Sequence, residues 1–241
     1  MGLLGSLMNP RGTIRRFKST YSLGRRMLQL QSLPFHSGLG DSAWILYGLV
    51  RTLKPDVCVE IGSARGKSAC YIGRALVDNG KGRLYAIDPH AKTDWNDSNS
   101  VDTFQAMQSN MESVGVKAYV EILRETSERA AQGWSRSIDL IFIDGDHSYE
   151  GVKRDWTLFI PHVTPFGLVV FHDTAWEIDP VSWREYARED MGVPRFVEEL
   201  RHAGYPIITF PKDCGLSIVQ AQIGGISLRE PPQSRAIHAG L

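Results

Sequence analysis

The chain has 241 residues, and its 27 basic and 27 acidic side chains give a formal net charge of zero. This length suits one sizeable domain, and the balanced charge does not indicate a nucleic-acid-binding protein. The sequence has no run of 18 apolar residues and no apolar leader, so neither a membrane-spanning helix nor a secreted protein is predicted. Three cysteines cannot all pair, which favours a reducing compartment, and we expect a cytoplasmic protein.

The first 40 residues are basic, with six cations and no acidic side chain before Asp41. We expect residues 1–40 to form a helical or partly flexible arm. Such an arm commonly presents a solvated face or packs on a second copy, which makes it a candidate surface for a homo-oligomer; an anionic partner or a membrane surface is also open. The opening MGLLGS matches the short N-myristoylation pattern.

From Asp41 to Gln220 helical and strand patterns alternate, which indicates a parallel sheet with helices on both faces. The last two strands are joined by a few residues around KDCG, too few for a crossover helix, so they predict an antiparallel hairpin. The tail, 223–241, is rich in Gly, Pro and polar residues and should fray. In chain order we predict a helix at 42–53, a strand at 56–62, a helix at 66–80, a strand at 82–90, a helix at 100–116 and a strand at 118–126. We then predict a short helix at 127–134, a strand at 138–144, a helix at 149–163, a strand at 167–173, a helix at 194–204, and strands at 205–211 and 215–220.

A glycine-containing loop follows the first predicted strand, in the stretch VEIGSARGKSA. Gly62 and Gly66 allow close approach of a ligand to the backbone, and the next helix offers free N–H groups beside Ser63. The pattern is E-x-G-x-x-x-G rather than the dinucleotide fingerprint G-x-G-x-x-G, which counts against a nicotinamide-dependent oxidoreductase. We expect Glu60 at the mouth of the loop to repel a pyrophosphate and attract a cation such as S-adenosylmethionine.

The second strand ends in Asp88, where a carboxylate can accept hydrogen bonds from both ribose hydroxyls. In its loop, its acidic second strand and its terminal hairpin, the chain resembles the class I S-adenosylmethionine-dependent methyltransferases. The resemblance runs from about Asp41 to Gln220. It implies an α/β fold, a Rossmann-like doubly wound sheet of seven mostly parallel strands with an antiparallel C-terminal strand, within a domain at 41–222. The expected cofactor-binding residues are Glu60, Gly62, Ser63, Gly66, Asp88 and Asp144.

Two apolar strands end in acid and imidazole, LIFIDGDH and GLVVFHD. Neighbouring parallel strands lie about 4.8 Å apart, and ligands of such sheets bind at their carboxyl ends. Asp144, His172 and Asp173 can therefore converge, and a divalent cation would relieve the repulsion between the two carboxylates. Mg²⁺ is the expected ion, while the imidazole also suits Mn²⁺ or Fe²⁺. The competing interpretation is that the carboxylates bind loop N–H groups and His172 is a packed imidazole.

This arrangement resembles the metal-dependent O-methyltransferases, including the catechol and caffeoyl-CoA enzymes, and is closest to the macrolide-sugar and cephalosporin hydroxylase-like group. The resemblance implies that Asp144 and the pair after the fifth parallel strand hold the ion, and that His147 is the general base. This chain has His172 where those relatives carry a carboxylate. We expect Asp146 to cap the following helix and Asp155 to be a solvated helix residue, although the resemblance makes it a reserve ligand.

The predicted function is S-adenosylmethionine-dependent O-methylation of a hydroxyl of a small molecule, such as a sugar, a glycoside or a natural product. The alternatives are a metal-independent methyltransferase in which His147 acts alone, and a non-catalytic S-adenosylmethionine-binding protein. The stretches PHAKTDWNDSNS and TAWEIDPVSWREYARED, rich in Trp and carboxylates, are the candidate acceptor-binding loops. The second of them could equally be an oligomer contact.

Overall fold

The computed structural model describes residues 24–91, 102–175 and 191–221. Contacts within the chain divide it into two units, residues 1–35 and residues 36–241. In the described part of the first unit, residues 24–32 are helical. The limits predicted for the basic arm and for the C-terminal tail stay predictions.

The second unit contains a seven-stranded sheet. The strands are β1 (Val57–Ile61), β2 (Arg83–Ile87), β3 (Val120–Leu123), β4 (Ile138–Ile143), β5 (Val163–His172), β6 (Ile207–Phe210) and β7 (Leu216–Gln220). Their order in the sheet is β3-β2-β1-β4-β5-β7-β6. The five strands β1 to β5 pair in parallel, whereas β7 pairs antiparallel with both β5 and β6. This sheet confirms the predicted fold class, including the terminal hairpin.

Helices connect the parallel strands, as the alternating pattern predicted. The α-helices among the described residues of the second unit are α1 (Ala43–Leu53), α2 (Lys67–Asn79), α3 (Thr103–Ser113), α4 (Ser127–Gln132), α5 (Tyr149–Phe159) and α6 (Val193–His202). Helix α2 ends on Gly80, whose φ of 71° lets its N–H donate a hydrogen bond to the carbonyl of Leu76 at 2.9 Å, as expected for a helix that stops at glycine.

The register of the parallel strands aligns their carboxyl ends. Ile61 of β1 is paired with both Ile87 of β2 and Ile143 of β4, and Ile143 is in turn paired with Phe171 of β5. The residues that follow these partners therefore lie in a row along one edge of the sheet. Those residues are Gly62, Asp88, Asp144 and His172.

The central strands are buried on both faces, because apolar residues from Leu140 to Ile143 are all at most 3% exposed. Since side chains alternate across a strand, one set packs against helices α4 to α6, where Trp156 stacks on Phe171 with ring centroids 5.9 Å apart. Helix α1 packs on α2. A parallel strand covered on both sides has no polar face, which explains the continuous apolar runs in the sequence.

Several element boundaries differ from the prediction by a few residues, and two of these differences have a clear physical cause. Helix α5 ends at Phe159 and residues Ile160–His162 form a 3₁₀ turn, because Pro161 cannot continue an α-helix. Strand β5 begins at Val163 rather than at residue 167, after a shift in its register with β4 between Ile138 and Leu140.

Candidate active site

The loop between β1 and α2 is held in a conformation that only glycine adopts freely. Gly62 has a φ of +85°, and a Cβ on it would lie 2.1 Å from the carbonyl oxygen of Asp144. Gly66 has a φ of +80°, and a Cβ on it would lie 2.7 Å from Cγ of Met107. The loop is therefore packed against the end of β4 on one side and α3 on the other, and both predicted glycines are sterically required.

Asp88 ties this loop to the end of β2. Its Oδ2 accepts the backbone N–H groups of Ser63 at 2.9 Å and Ala64 at 2.8 Å, and its Oδ1 accepts the N–H of His90 at 2.7 Å. A carboxylate has about four acceptor sites, so Asp88 keeps capacity for a further donor. Its predicted contact with ribose stays a prediction.

Glu60 does not stand at the mouth of the loop, and that expectation was wrong. Its side chain is 0% exposed, because Glu60 lies inside β1 with a strand on either side. Its Oε2 accepts a hydrogen bond from the hydroxyl of Ser63 at 2.7 Å, while Oε1 has no hydrogen-bond partner among the described residues. Burial raises the pKa of Glu60 to about 7, although the nearby hydroxyls of Ser68 and Ser63 oppose that shift.

The edge of the sheet brings together two carboxylates and two imidazoles. His147 has Nε2 3.5 Å from Oδ1 of Asp144 and Nδ1 3.3 Å from Oδ2 of Asp173. The Nδ1 atom of His172 is 3.1 Å from Oδ1 of Asp144 and 3.3 Å from Oδ2 of Asp173. The predicted base and the three predicted metal ligands thus form one cluster, which we call the acid-imidazole cluster.

Two members of this cluster occupy special positions. Asp173 has a φ of +58°, an uncommon conformation for a residue other than glycine, and it turns the chain at the end of β5. His172 is 4% exposed, and its Nε2 lies 2.9 Å from the backbone carbonyl oxygen of Asp213. Since a carbonyl can only accept, Nε2 carries a proton and Nδ1 is the atom that faces the carboxylates.

Opposite charges outweigh burial throughout the cluster. Burial by itself disfavours charge on each group, but the carboxylates of Asp173 and Asp144 raise the pKa of His147 and raise that of His172 well above its usual value. Reciprocally, the two imidazoles lower the pKa values of Asp144 and Asp173 below the usual range against the same effect of burial. The isolated cluster is therefore a network of mutually stabilised ion pairs.

The donor atoms of the cluster also fit a divalent cation. One oxygen from each of Asp144 and Asp173 and one ring nitrogen of His147 all lie within 4.8 Å of one another, a spacing that a single bound ion can span. Carboxylates suit Mg²⁺ and imidazole suits Mn²⁺, Fe²⁺ or Zn²⁺. This set contains two of the three predicted ligands, Asp144 and Asp173, with His147 in the place predicted for His172, and metal binding itself stays a prediction.

The two carboxylates after Asp144 have other roles than expected. The N-cap of α5 is Ser148, whose hydroxyl accepts the N–H of Gly151 at 3.0 Å, so the prediction that Asp146 caps this helix was wrong. Asp146 instead accepts the N–H of Ser148. Asp155 is 1% exposed rather than solvated, because helix α5 turns it toward α4, and its side chain accepts the hydroxyl of Ser127.

Sequence reasoning missed two residues in the turn between β6 and β7. Because β7 is antiparallel to β5 and His172 is paired with Leu216, this turn lies beside the end of β5. Asp213 provides the carbonyl that accepts a hydrogen bond from His172, and the sulfur of Cys214 lies within 4.8 Å of a carboxylate oxygen of Asp173. The run Asp-Cys-Gly in a hairpin turn was the available signal, but its position depends on which hairpin strand joins β5.

Most of both candidate acceptor-binding stretches lies outside the described residues, since residues 92–101 and 176–190 are not described. The described start of the first stretch places His90 beside Phe104, with ring centroids 5.3 Å apart. The Nε2 atom of His90 is buried with no hydrogen-bond partner among the described residues.

Residues 59–174 match a protein-family model described as a methyltransferase domain. The match spans 116 of the 241 residues, so the chain resembles that domain over just under half of its length. The match begins inside β1 and ends just after Asp173, so it includes the glycine loop, Asp88 and the acid-imidazole cluster. It confirms the class I methyltransferase resemblance that the loop and the acidic second strand predicted.

Two curated relatives carry no stated function. The chain is 28% identical over 186 residues to the uncharacterized protein y4gI of Sinorhizobium fredii, a match that covers 74% of this chain and 19% of that protein. It is 31% identical over 134 residues to an uncharacterized protein of Acanthamoeba polyphaga mimivirus, covering 54% of this chain and 57% of that protein. The chain thus spans about a fifth of the length of the first relative and just over half of the length of the second.

Solved structures of methyltransferases share the fold. A candidate O-methyltransferase from Klebsiella pneumoniae aligns at 19% identity and a TM-score of 0.60, over 83% of this chain and 90% of that one. The O-methyltransferase TomG from Streptomyces achromogenes, in complex with S-adenosylmethionine, aligns at 19% identity and a TM-score of 0.57, over 75% of this chain and 79% of that one. An O-methyltransferase from Bacillus cereus, in complex with S-adenosylhomocysteine, aligns at 17% identity and a TM-score of 0.57, over 83% of this chain and 90% of that one.

Within residues 24–91, 102–175 and 191–221, no helix has the length and apolar character needed to cross a membrane.

Proposed function

We propose that this protein is an S-adenosylmethionine-dependent O-methyltransferase that acts on a hydroxyl of a small molecule, such as a sugar, a glycoside or another natural product, with the assistance of a divalent cation and His147. One observation carries the proposal. Asp144, His147 and Asp173 converge within 4.8 Å at the edge of the sheet where the methyltransferase domain also places its glycine loop. Similar folds that hold S-adenosylmethionine or S-adenosylhomocysteine support the choice of cofactor.

The glycine loop and the end of β2 would hold the cofactor. Gly62 and Gly66 keep side chains away from the backbone of the loop, and Gly66 precedes the free N–H groups of α2. Asp88, already fixed by three backbone N–H groups, would accept the ribose hydroxyls. Glu60, below the loop, orients Ser63 and contributes negative potential toward a cationic ligand.

Methyl transfer requires an acceptor oxygen that is deprotonated and aligned with the methyl group. The oxygen forms a bond to the methyl carbon while the bond from carbon to the sulfonium sulfur breaks, and the electron pair of that bond goes to sulfur, which yields S-adenosylhomocysteine. The acceptor proton must go to a base within hydrogen-bonding reach. Positioning of the acceptor oxygen is the larger part of what such a site supplies.

His147 is the side chain best placed to take that proton. It follows the end of β4 on a short loop, its side chain is 20% exposed, and its ring faces Asp144 and Asp173 rather than the core. Those carboxylates raise the pKa of His147, so their engagement by another cation would leave the imidazole more available as a base. Asp144 and Asp173, together with His172, would hold a divalent cation, which when bound lowers the pKa of a coordinated hydroxyl and orients it, and His147 would take the proton.

A metal-independent reaction is the second candidate, and a specific observation favours it. The two carboxylates of the cluster already face two imidazoles at 3.1 to 3.5 Å, so their charges are balanced without an ion. His147 would then act as a base alone, oriented by Asp173. Chelation distinguishes the two candidates.

Calorimetric titration with S-adenosylhomocysteine tests the cofactor site. The native chain and Asp144→Asn are titrated in the presence of Mg²⁺ and again after chelation. Asp139→Asn is the matched control, because Asp139 lies at the opposite end of the same strand and binds only backbone N–H groups there. Binding that survives chelation supports the cofactor site and indicates that the metal takes part in binding the acceptor rather than the cofactor. No binding in any condition contradicts the methyltransferase proposal.

Turnover on a panel of polyols and glycosides then tests the acceptor class and the metal. We expect product with vicinal diols, its loss on chelation or in Asp144→Asn, and its retention in Asp139→Asn. Turnover that is insensitive to chelation would support the metal-independent candidate. Cofactor binding with no turnover on any acceptor would indicate a non-catalytic S-adenosylmethionine-binding protein.

Location in the cytoplasm and self-association through the basic arm remain part of the proposal. Cys58, Cys70 and Cys214 are all buried and unpaired, which agrees with a reducing compartment. Sedimentation of the full chain and of a variant that lacks residues 1–23 would test whether the arm contributes to an oligomer.

A further inference from the structure

We infer that the metal centre of this chain includes the thiolate of Cys214 together with His172 and Asp173, and that it therefore binds a borderline transition-metal ion such as Zn²⁺ or Co²⁺ in preference to Mg²⁺. The inference rests on the proposed function, in which a divalent cation takes part. It goes beyond that function by adding a ligand from the β6–β7 turn and by selecting the class of metal.

His172 is arranged as metal-binding histidines are. Its Nε2–H donates to the backbone carbonyl of Asp213 at 2.9 Å, which fixes both the tautomer and the orientation of the ring. Its Nδ1 atom points at Asp144 and Asp173, at 3.1 and 3.3 Å. Metal-bound histidines usually donate their second ring N–H to a carboxylate or a backbone carbonyl in this way. His172 thus has a donor atom aimed into the cluster.

Cys214 completes a second donor set that shares Asp173 with the first. The sulfur of Cys214, a ring nitrogen of His172 and a carboxylate oxygen of Asp173 all lie within 4.8 Å of one another, and all three residues are buried. Asp144, His147 and Asp173 form the other set of the same spacing. Because Asp173 belongs to both, the thiol borders the same small volume that the proposed function assigns to the ion.

The turn that carries Cys214 is held against the end of β5. Asp213, Cys214 and Gly215 have consecutive φ angles of 54°, 66° and 91°, a conformation that costs free energy at the first two residues. Hydrogen bonds hold the turn in this conformation. The N–H of Ala175 donates to the carbonyl of Cys214 at 2.8 Å, and the carboxylate of Asp213 accepts both the N–H and the hydroxyl of Ser42, at 2.9 and 3.0 Å.

The chemistry of these donors selects the metal. Mg²⁺ prefers oxygen ligands in octahedral geometry, whereas Zn²⁺ and Co²⁺ accept thiolate and imidazole in sites of lower coordination number. Binding would release the thiol proton to solvent, because the thiolate is the form that coordinates. A centre with one sulfur, at least one imidazole and one or two carboxylates is therefore a site for a borderline ion.

Absorption spectroscopy with Co²⁺ tests the ligand directly, without reference to turnover. The full chain is stripped of metal with a chelator, dialysed, and titrated separately with the chlorides of Co²⁺, Zn²⁺ and Mg²⁺. We expect a near-ultraviolet charge-transfer band from thiolate to Co²⁺ and a Kd for Zn²⁺ at least about 100-fold lower than that for Mg²⁺. Cys214→Ser should lose the band and raise the Kd for Co²⁺ by about 10- to 100-fold. Cys58→Ala, which removes a thiol buried in β1, should keep both.

Other results would overturn the inference. Visible Co²⁺ bands without the charge-transfer band would exclude Cys214 as a ligand, and equal affinity for Mg²⁺ and Zn²⁺ would exclude the selection of a borderline ion. If no metal binds while S-adenosylhomocysteine still does, the acid-imidazole cluster is an ion-pair network and the metal-independent candidate stands. If S-adenosylhomocysteine does not bind either, the proposed function itself has failed. Cys214→Ala and the circular dichroism of each variant show whether a lost band reflects lost folding.

Discussion

The hydroxyl of Ser127, the first residue of α4, donates a 2.6 Å hydrogen bond to Oδ1 of Asp155 in the middle of α5. Both side chains are buried, at 8% and 1% exposure. Burial raises the pKa of Asp155 to about 6, even though the hydrogen bond from Ser127 and the charge of Arg154 oppose that shift. The contact joins two helices through a carboxyl group that is protonated more readily in the folded chain than in the unfolded one.

Stability should therefore depend on pH through Asp155. Between about pH 4 and 6 the folded state holds a proton that the unfolded state has lost, so the free energy of unfolding falls as pH rises through that range. The Asp155→Asn variant cannot ionise and keeps an acceptor for Ser127, so above pH 6 it should be more stable than the native chain by about 3 kcal/mol. Urea denaturation at pH 4, 5, 6 and 7 measures the difference. Asp56→Asn, which changes an exposed carboxylate, is the control and should show the same dependence of stability on pH as the native chain. An Asp155→Asn curve that runs parallel to the native one would contradict the raised pKa of Asp155.

Replacement of His147 should affect the reaction and not cofactor binding. We expect His147→Asn to lower kcat by about 10² to 10⁴, the usual contribution of general acid-base catalysis. The Kd for S-adenosylhomocysteine should change by less than about twofold, because His147 faces the carboxylates Asp144 and Asp173 rather than the glycine loop. Initial rates with an acceptor from the panel measure the effect, and His162→Asn, in the 3₁₀ turn after α5, is the control. A variant with near-native kcat would remove His147 from the mechanism.

Replacement of Asp88 should weaken cofactor binding. Asp88→Asn loses one of the two oxygens that accept N–H groups from Ser63, Ala64 and His90, and its new amide N–H groups oppose one of those donors. A lost hydrogen bond to a charged acceptor costs about 1.5 to 3 kcal/mol, so the Kd for S-adenosylhomocysteine should rise by about 10- to 100-fold. Calorimetry gives the value. Unchanged affinity would show that Asp88 only holds the loop.

Gly62→Ala should destabilise the whole domain. The added Cβ would lie 2.1 Å from the carbonyl oxygen of Asp144, and the φ of +85° is strained for alanine. We expect the free energy of unfolding to fall by at least about 3 kcal/mol. Gly133→Ala is the matched control, because its Cβ would meet nothing within 4 Å and its φ is −105°, so its change should stay within about 0.5 kcal/mol. Equal urea midpoints for the two variants would contradict the close packing of loop against β4.

The sheet could be predicted from the sequence because its central strands appear as continuous apolar runs that end at polar residues. Leu140 to Ile143 form an apolar run that only a doubly covered strand explains, and the change to Asp144 marks its carboxyl end. Once the order of the parallel strands is known, the proximity of Asp144 to His172 follows from the register, because Ile143 is paired with Phe171.

Features that depend on contacts between distant segments were not predictable in the same way. Asp155 lies in a polar stretch of helix, and its burial follows only from the packing of α5 against α4. Glu60 directly precedes the glycine loop in the sequence, but pairing on both sides of β1 places it inside the sheet. The hairpin was evident from its short connection, yet nothing local specifies that β7 rather than β6 joins β5, and that choice brings Cys214 to Asp173.

The insertion of β7 between β5 and β6 also has a consequence for synthesis of the chain. The ring of His172 obtains its backbone partner from Asp213, 41 residues later, and the strand that delivers this partner follows immediately at Leu216. A nascent chain that has emerged only as far as β5 can pair β1 to β5 in parallel, but it lacks the group that orients His172. The edge of β5 stays open during that interval, and an open strand edge is a place where other chains can pair. Completion of the site and closure of that edge are thus one and the same late step in the assembly of the sheet.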